Sequence, residues 1–336
     1  MHEALLYEPQ EKDRVRCNLC AHTCLVNPGR KGICGVRINQ DGRLYSLVYG
    51  RLVSANADPI EKKPLFHFLP GTISFSIATA GCNFRCDFCQ NYEISQIPQD
   101  DGGIIGRSMS PSEIVAQAKE SGAASIAYTY TEPTIFFEYA LDTARLASNE
   151  GLKNIFVTNG YMTEEALDMI GPDLHAANVD LKAFRDSFYR KLCQARLEPV
   201  KETITRMKER GIWVEVTTLI IPGHNDGEEE LRELAGWLAG VSPEIPWHIS
   251  RFSPTYRLLD RGPTPTETIH MAQAIGREEG LQYVYAGNVW GDDGEKTYCH
   301  NCGHLLIDRL GFSITSVDLE KGACPKCQTP LAGEGL

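Results

Sequence analysis

The sequence predicts an α/β fold: a parallel sheet curled into a barrel that need not close, flanked on both sides by cysteine-rich segments. Three observations predict it. Between residues 72 and 290, seven strand-like stretches alternate with helix-like ones, a pattern that implies parallel strands joined by right-handed crossovers. Polar residues recur where those strands end. Eleven of the twelve cysteines fall into three groups, one before the alternating region, one at its start and one after it.

The strands are ISFSIA (73–78), ASIAYT (124–129), NIFVTN (154–159), HAANVDLK (175–182), IWVEVTTLII (212–221), WHISRF (247–252) and LQYVYA (281–286). Each is short and rich in β-branched or aromatic residues, and most are bounded by Gly, Pro or Asn. The first helix opens at Ser110-Pro111-Ser112-Glu113, with a Ser N-cap, Pro at the first helical position and Glu placed for a capping box. A later one, DGEEELRELAGWLAG, carries Leu231, Leu234 and Leu238 on one face and acidic residues in its first turn. Seven alternations favour a barrel-like sheet over an open doubly wound one. No internal repeat or low-complexity tract interrupts the pattern.

The polar residues follow the strands in order. Glu132 comes after the second, Thr158-Asn159-Gly160 ends the third, and Asp180 and Lys182 end the fourth. His248 and Arg251 mark the sixth, and Gly287-Asn288 the seventh. In a parallel barrel the C-terminal rim is where sites are built. Any one of these residues is as well explained as the start of a loop. Their shared rim makes them candidates.

Composition bounds the partners. The chain has 336 residues, 42% hydrophobic and 23% charged, as in a globular protein. With 33 basic and 44 acidic residues the net charge is −11, which argues against a large nucleic-acid or anionic-membrane footprint. The opening MHEALLYEPQEKDRVR has no apolar signal region, and no apolar run is long enough to span a bilayer. The expectation is a cytoplasmic protein without membrane or nucleic-acid partners. In that setting clustered cysteines point to metal rather than to disulfides.

The tail group, Cys299-x2-Cys302 and Cys324-x2-Cys327, has close to zinc-ribbon spacing. Structural zinc is expected there, with a rubredoxin-like iron site as the alternative and His300 and His304 as bystanders. The first group, Cys17, Cys20, Cys24 and Cys34, is irregular, and His22 offers a fifth ligand. It suits structural zinc or a second iron–sulfur cluster, with zinc ahead. Cys193 stands alone and reads as a small buried side chain.

The middle group is Cys82-x3-Cys86-x2-Cys89, in the loop after the first strand and hence at the rim. Three thiolates without a fourth admit three readings. They could hold zinc with a distant ligand, an electron-transfer cluster, or an iron–sulfur cluster whose fourth iron is left open for substrate or cofactor.

Here the sequence resembles a known family. CNFRCDFC (82–89) has the CxxxCxxC spacing of the radical S-adenosylmethionine (SAM) superfamily, with an aromatic, Phe88, before the last cysteine. Tyr130-Thr131-Glu132-Pro133 stands where that superfamily carries Gly-Gly-Glu, with both glycines missing. VTNG (157–160), VDLK (179–182), IPGHND (221–226) and PWH (246–248) resemble segments of glycyl-radical-enzyme activases such as pyruvate formate-lyase activating enzyme. Over nearly its whole length the chain is similar to the radical SAM member of the AmmeMemoRadiSam system.

The resemblance implies a (βα)6-type partial TIM barrel over 72–294, an N-terminal cysteine-rich segment over 1–71 and a zinc-ribbon-like module over 295–336. It implies a 4Fe-4S cluster on Cys82, Cys86 and Cys89, with Phe88, Glu132, Thr158, Asn159, Lys182 and His248 around SAM. Reductive cleavage of SAM would yield a 5′-deoxyadenosyl radical that takes hydrogen from a substrate that the resemblance does not identify. The implied partners are SAM, that substrate and a reductant such as flavodoxin or ferredoxin, with a protein partner left open. Two rival readings remain: an activase acting on a protein glycine, and a zinc-binding interaction scaffold with no catalysis.

Overall fold

The computed structural model describes residues 1–96, 103–289 and 291–336. The N-terminal segment is a pair of small antiparallel sheets. Their strands are β1 (His2–Glu3), β2 (Tyr7–Gln10), β3 (Arg14–Cys17), β4 (Leu25–Val26), β5 (Arg37–Gln40) and β6 (Arg43–Ser46), ordered β2-β3-β4 and β1-β6-β5. The β5–β6 hairpin turns through Asp41-Gly42, both at positive φ, the dipeptide that favours a tight two-residue turn. This segment shares its core with the barrel: Val15, Leu19, Val36 and Leu44 are buried in one cluster with the barrel interior.

After β7 (Arg51–Leu52), β8 (Ser54–Pro59) pairs antiparallel with β9 (Ile73–Ala78), the first expected strand. A one-turn helix α1 (Tyr92–Ser95) follows, and β10 (Arg107–Ser108) returns to pair with β7. Helix α2 (Pro111–Glu120) carries the expected capping box at Ser110 and Glu113. The alternation then runs β11 (Ser125–Tyr128), α3 (Phe137–Asn149), β12 (Lys153–Thr158), α4 (Glu164–Ile170) and β13 (Ala176–Asp180). It continues through α5 (Asp186–Phe188), a π-helical turn at Tyr189–Cys193, α6 (Glu198–Glu209), β14 (Trp213–Ile220) and α7 (Glu228–Val241). It ends with β15 (Trp247–Arg251), α8 (Thr266–Glu278) and β16 (Val284–Gly287).

All seven expected strands join one sheet, ordered β16-β15-β14-β13-β12-β11-β9-β8. Every pair is parallel except β8–β9, so the sheet is an arc of seven parallel strands with one antiparallel edge strand. The expected boundary at 71/72 cuts this arc, because β8 lies before it. Residues 60–69 also belong with the barrel: Ile60, Leu65 and Phe68 pack on Ala127, Ile155 and Ala176. Ala176 opens β13, and Trp213, partly buried on the same cluster, opens β14, so this segment plugs the sheet's N-terminal end.

The tail forms a further three-stranded sheet from β17 (Thr297–Tyr298), β18 (Leu305–Leu310) and β19 (Ser313–Val317). It is packed onto the plug rather than detached. Leu306, Ile307 and Leu331 cluster with Phe66, Tyr283 and Tyr285. No helix among the described residues is long and apolar enough to cross a membrane.

Candidate functional site

The cysteine triplet leaves β9 through Gly81, at φ +106°. A Cβ there would stand 2.6 Å from Val36 Cγ1 and 3.2 Å from the Cys34 carbonyl, so only glycine lets the loop pass this close to the N-terminal segment. Phe84 then anchors the loop against Tyr161 and Tyr189, and Phe88 anchors it against Phe188. The amides of Arg85 and Asp87 donate to the carbonyls of Cys193 and Leu192, at 3.0 and 2.9 Å. Two aromatic anchors and two backbone bonds therefore fix where the thiols stand.

Each thiol has its own surroundings. Cys82 Sγ accepts from the Phe84 amide at 3.3 Å, and Cys89 Sγ lies 3.3 Å from Ser95 Oγ. Burial pushes Cys82 well above the ordinary thiol range, and the nearby Glu132 charge adds to this. Cys86 is lowered, first by a hydrogen bond from Cys193 and then by Lys182, against the effect of burial. Cys193 is buried, as its reading expects, and is in addition a neighbour of the triplet. Its isolation in the sequence gave no sign of this, because the contact is made by the π-helical turn after β13.

Glu132 ties the triplet to the strand ends. Its Oε1 accepts from Thr134 N at 3.0 Å, Thr134 Oγ1 at 2.6 Å and Thr158 Oγ1 at 2.7 Å. Its Oε2 accepts from the Asn159 amide at 2.8 Å. Asn159 in turn donates through Nδ2 to Asn83 Oδ1 at 2.7 Å, and the same amide lies 3.9 Å from Cys82 Sγ. One hydrogen-bond chain thus runs from the segment after β11, through the end of β12, to the first cysteine. Burial raises the Glu132 pKa, and these four bonds oppose the rise. Tyr130 holds a left-handed backbone at φ +60°, a conformation that glycine adopts freely. Its carbonyl accepts from Asn91 Nδ2 at 2.7 Å.

Lys182 forms a second group. Its Nζ pairs with Asp180 at 2.8 Å and lies 5.8 Å from the centre of the Phe88 ring. Burial opposes its charge, but Asp180 and the Cys86 and Cys193 sulfurs outweigh that and hold the ammonium well above its usual range. Asn225, buried, clamps the turn by donating to the Lys182 and Leu219 carbonyls at 2.7 and 2.9 Å.

His248 stands apart from both groups. It is the second residue of β15 rather than its end, in register with Thr217 and Tyr285. Its Nε2 lies 2.6 Å from Glu215 Oε2, and its ring is stacked beside Tyr285 and edge-on to Phe66. Glu215 also accepts from the amides of Phe66 and His67 at 3.0 and 2.8 Å, so this network looks toward the plug. The rim pattern mislocates His248 because the strand runs three residues beyond it.

The tail cysteines converge as their spacing predicts. The four Sγ atoms lie within 4.8 Å of one another, with Cys299–Cys327 at 3.5 Å and Cys302–Cys324 at 3.6 Å. Hydrogen bonds from Thr329 hold Cys327 down at about 5, which favours the thiolate a metal needs. His304 pairs with Asp318 and His300 with Tyr283, so both imidazoles are engaged outside the group. The N-terminal four, Cys17, Cys20, Cys24 and Cys34, line one cavity together with His22, Arg37 and Asn83. His22 Nε2 is committed to the Asn83 carbonyl at 2.8 Å, which removes that nitrogen as a fifth ligand.

Sequence reasoning missed Asn83, Arg37 and Asn225. Asn83 and Asn225 lie inside CNFRCDFC and IPGHND, motifs that give them no role of their own, and Arg37 carries no mark in the chain; all three are buried.

Known proteins add to this geometry. Residues 76–238 match the family described as the radical SAM superfamily. An uncharacterized protein of Methanocaldococcus jannaschii, MJ0808, is 47% identical over 330 residues, which cover 97% of this chain and 98% of that one. A radical SAM methyltransferase from Sphaerobacter thermophilus is 20% identical, covers 71% of each chain and superposes with a TM-score of 0.51. A domain of pyruvate-formate lyase-activating enzyme from Bacteroides vulgatus is 20% identical and covers 49% of this chain and 100% of that one, with a TM-score of 0.43.

Proposed function

This chain belongs to the radical SAM superfamily, a family of enzymes, and on that premise we propose that Cys82, Cys86 and Cys89 hold a 4Fe-4S cluster that works with SAM on a still unidentified substrate. The observation that carries the reading is the hydrogen-bond chain Glu132–Asn159–Asn83, which fixes the first cysteine to the strand ends. The donor set fits such a cluster. Three thiols share one short loop, and the Lys182 cation beside Cys86 favours the thiolate that iron requires. When bound, the cluster and SAM supply reductive cleavage of the sulfonium C–S bond and the 5′-deoxyadenosyl radical that takes hydrogen from substrate.

The chain's own residues position and shelter that chemistry. Glu132 holds Thr158 and the Asn159 amide in place, and Asn159 orients Asn83 beside Cys82. Lys182 and Phe88 form one wall of the SAM site, the ammonium offering a charge partner to the methionine carboxylate. His248, whose Nε2 lies 2.6 Å from Glu215, keeps its place near SAM on the likeness of PWH to the activase segments alone. Of the three thiols Cys86 is buried, while Cys82 and Cys89 are half-buried. The tail's four thiolates take zinc as a structural site.

The test is anaerobic incubation of the reconstituted protein with SAM and a strong reductant or reduced flavodoxin, following 5′-deoxyadenosine. Wild type should form it slowly without substrate, and Cys82→Ala, Cys86→Ala or Cys89→Ala should form none. A protein with a full cluster that never cleaves SAM would sink the proposal. The likeness to the AmmeMemoRadiSam member and to glycyl-radical-enzyme activases suggests which substrates to try. A protein-centred radical on an added partner would single out the activase reading.

A further inference from the structure

Cys17 ends β3, Cys20 and Cys24 lie in the loop to β4, and Cys34 precedes β5, yet all four line one cavity. The room inside it for the centres of water-sized molecules is about 20 Å³. The tail shows what a single ion asks of four thiols. A zinc–sulfur bond of about 2.3 Å draws the sulfurs to within about 4 Å of each other, and the tail sulfurs stand so. Among the described residues the tail group is the one set of three or more such ligands that converges within 4.8 Å. The N-terminal thiols surround a hollow instead. A cubane cluster needs such a hollow, because each thiolate binds its own iron and bridging sulfides fill the middle.

A second observation points to the same occupant. Arg37 and Asn83 both line the cavity and are 2% and 1% exposed. Arg37 Nε and Asn83 Nδ2 have no hydrogen-bond partner among the described residues. Buried N–H groups left in this way are costly, and the sulfur atoms of an anionic cluster are the acceptors they lack. We infer that Cys17, Cys20, Cys24 and Cys34 hold a second 4Fe-4S cluster rather than zinc.

Asn83 follows Cys82 directly and itself lines this cavity, and it contacts both sides, taking His22 on its carbonyl and Asn159 on its side chain. Three of the four cysteines are buried, while Cys24 is half-buried and Ile33 beside it is 44% exposed. Resting on the proposed function, the site then serves as a one-electron relay. An electron enters at the Cys24 side from a low-potential protein donor and leaves toward Cys82, so the relay ends in the state in which it began.

The test counts iron, acid-labile sulfide and zinc per chain after anaerobic reconstitution. Wild type should carry about eight irons and eight sulfides, two cubanes' worth. The triple variant Cys82→Ala/Cys86→Ala/Cys89→Ala should keep about half, with an electron paramagnetic resonance signal on reduction but no SAM cleavage. Cys24→Ser, at the most exposed of the four, should lose the other half and keep the first cluster. A wild type with about four irons, or a triple variant with none, overturns the inference, and zinc rising to about two per chain would name the true occupant. A protein that holds both clusters and cleaves no SAM would refute the proposed function while supporting this site.

Discussion

Glu132 spends its carboxylate on the protein. Three donors reach Oε1 and one reaches Oε2, so an expected direct contact with SAM could use only what remains of Oε2. Its main work is to hold the turn after β12. Glu132→Gln replaces one acceptor oxygen by a donor that must face Thr158 or Asn159. Losing such a bond typically costs about 1–3 kcal/mol, the penalty of an unsatisfied buried group. Urea unfolding should show that loss, and SAM affinity should fall with it because Asn159 is released. Unchanged stability with weakened SAM binding would instead make Glu132 a direct ligand. The sequence marked Glu132 and Asn159 because they fall at strand ends. It hid Asn83, whose neighbours Cys82 and Phe84 draw the eye, because only the fold brings Asn159 to it.

At the scale of elements, the arc of parallel strands was legible and its edge was not. The seven strands are short apolar runs between breakers, a pattern set by burial on both faces. SANADP in β8 is built from residues that strands avoid, and it is extended because β9 offers it an edge. What holds that edge is Asp58. It pairs with Lys62 at 2.9 Å, with Lys63 at 2.7 Å and with the Tyr130 hydroxyl. Burial works to raise the Asp58 pKa, but Lys63, Tyr130 and Lys62 outweigh it and hold the carboxyl well below its usual range. A depressed folded pKa gives stability that is present above the unfolded value of about 3.9 and is lost as pH falls. Asp58→Asn should therefore destabilise the protein most at neutral pH, by about 3–5 kcal/mol, since Lys63 is left buried and unpaired. The gap between wild type and variant should narrow below about pH 4 in urea titrations. A gap that stays constant with pH would show that Asp58 acts through packing alone.

For the whole molecule, the spacing of the tail cysteines suggests a separate module whose removal costs one metal and some stability, and the packing ties it to the rest far more closely. Arg309, 3% exposed, donates to the Phe66 carbonyl at 2.8 Å and to Thr297 Oγ1 at 2.7 Å, with its guanidinium over the Phe66 ring. His67 Nδ1 meets the Ala332 carbonyl at 2.7 Å, and the Leu69 amide donates to the Glu334 carbonyl at 2.8 Å. The last residues of the chain thus close over the plug, and the plug closes the N-terminal end of the sheet. Cutting after Glu295 would expose Phe66, Tyr283 and Tyr285 and leave buried Glu61 without its cation. The truncated chain should be insoluble or should melt well below wild type, even though every rim residue remains. Stripping the tail metal with a chelator gives a milder version of the same test. Barrel and tail should still unfold in one calorimetric transition, shifted down by about 1–2 °C for each kcal/mol of metal binding lost. Two separate transitions, with the larger one unmoved by the chelator, would show that the tail is only an attachment and that the barrel closes without it.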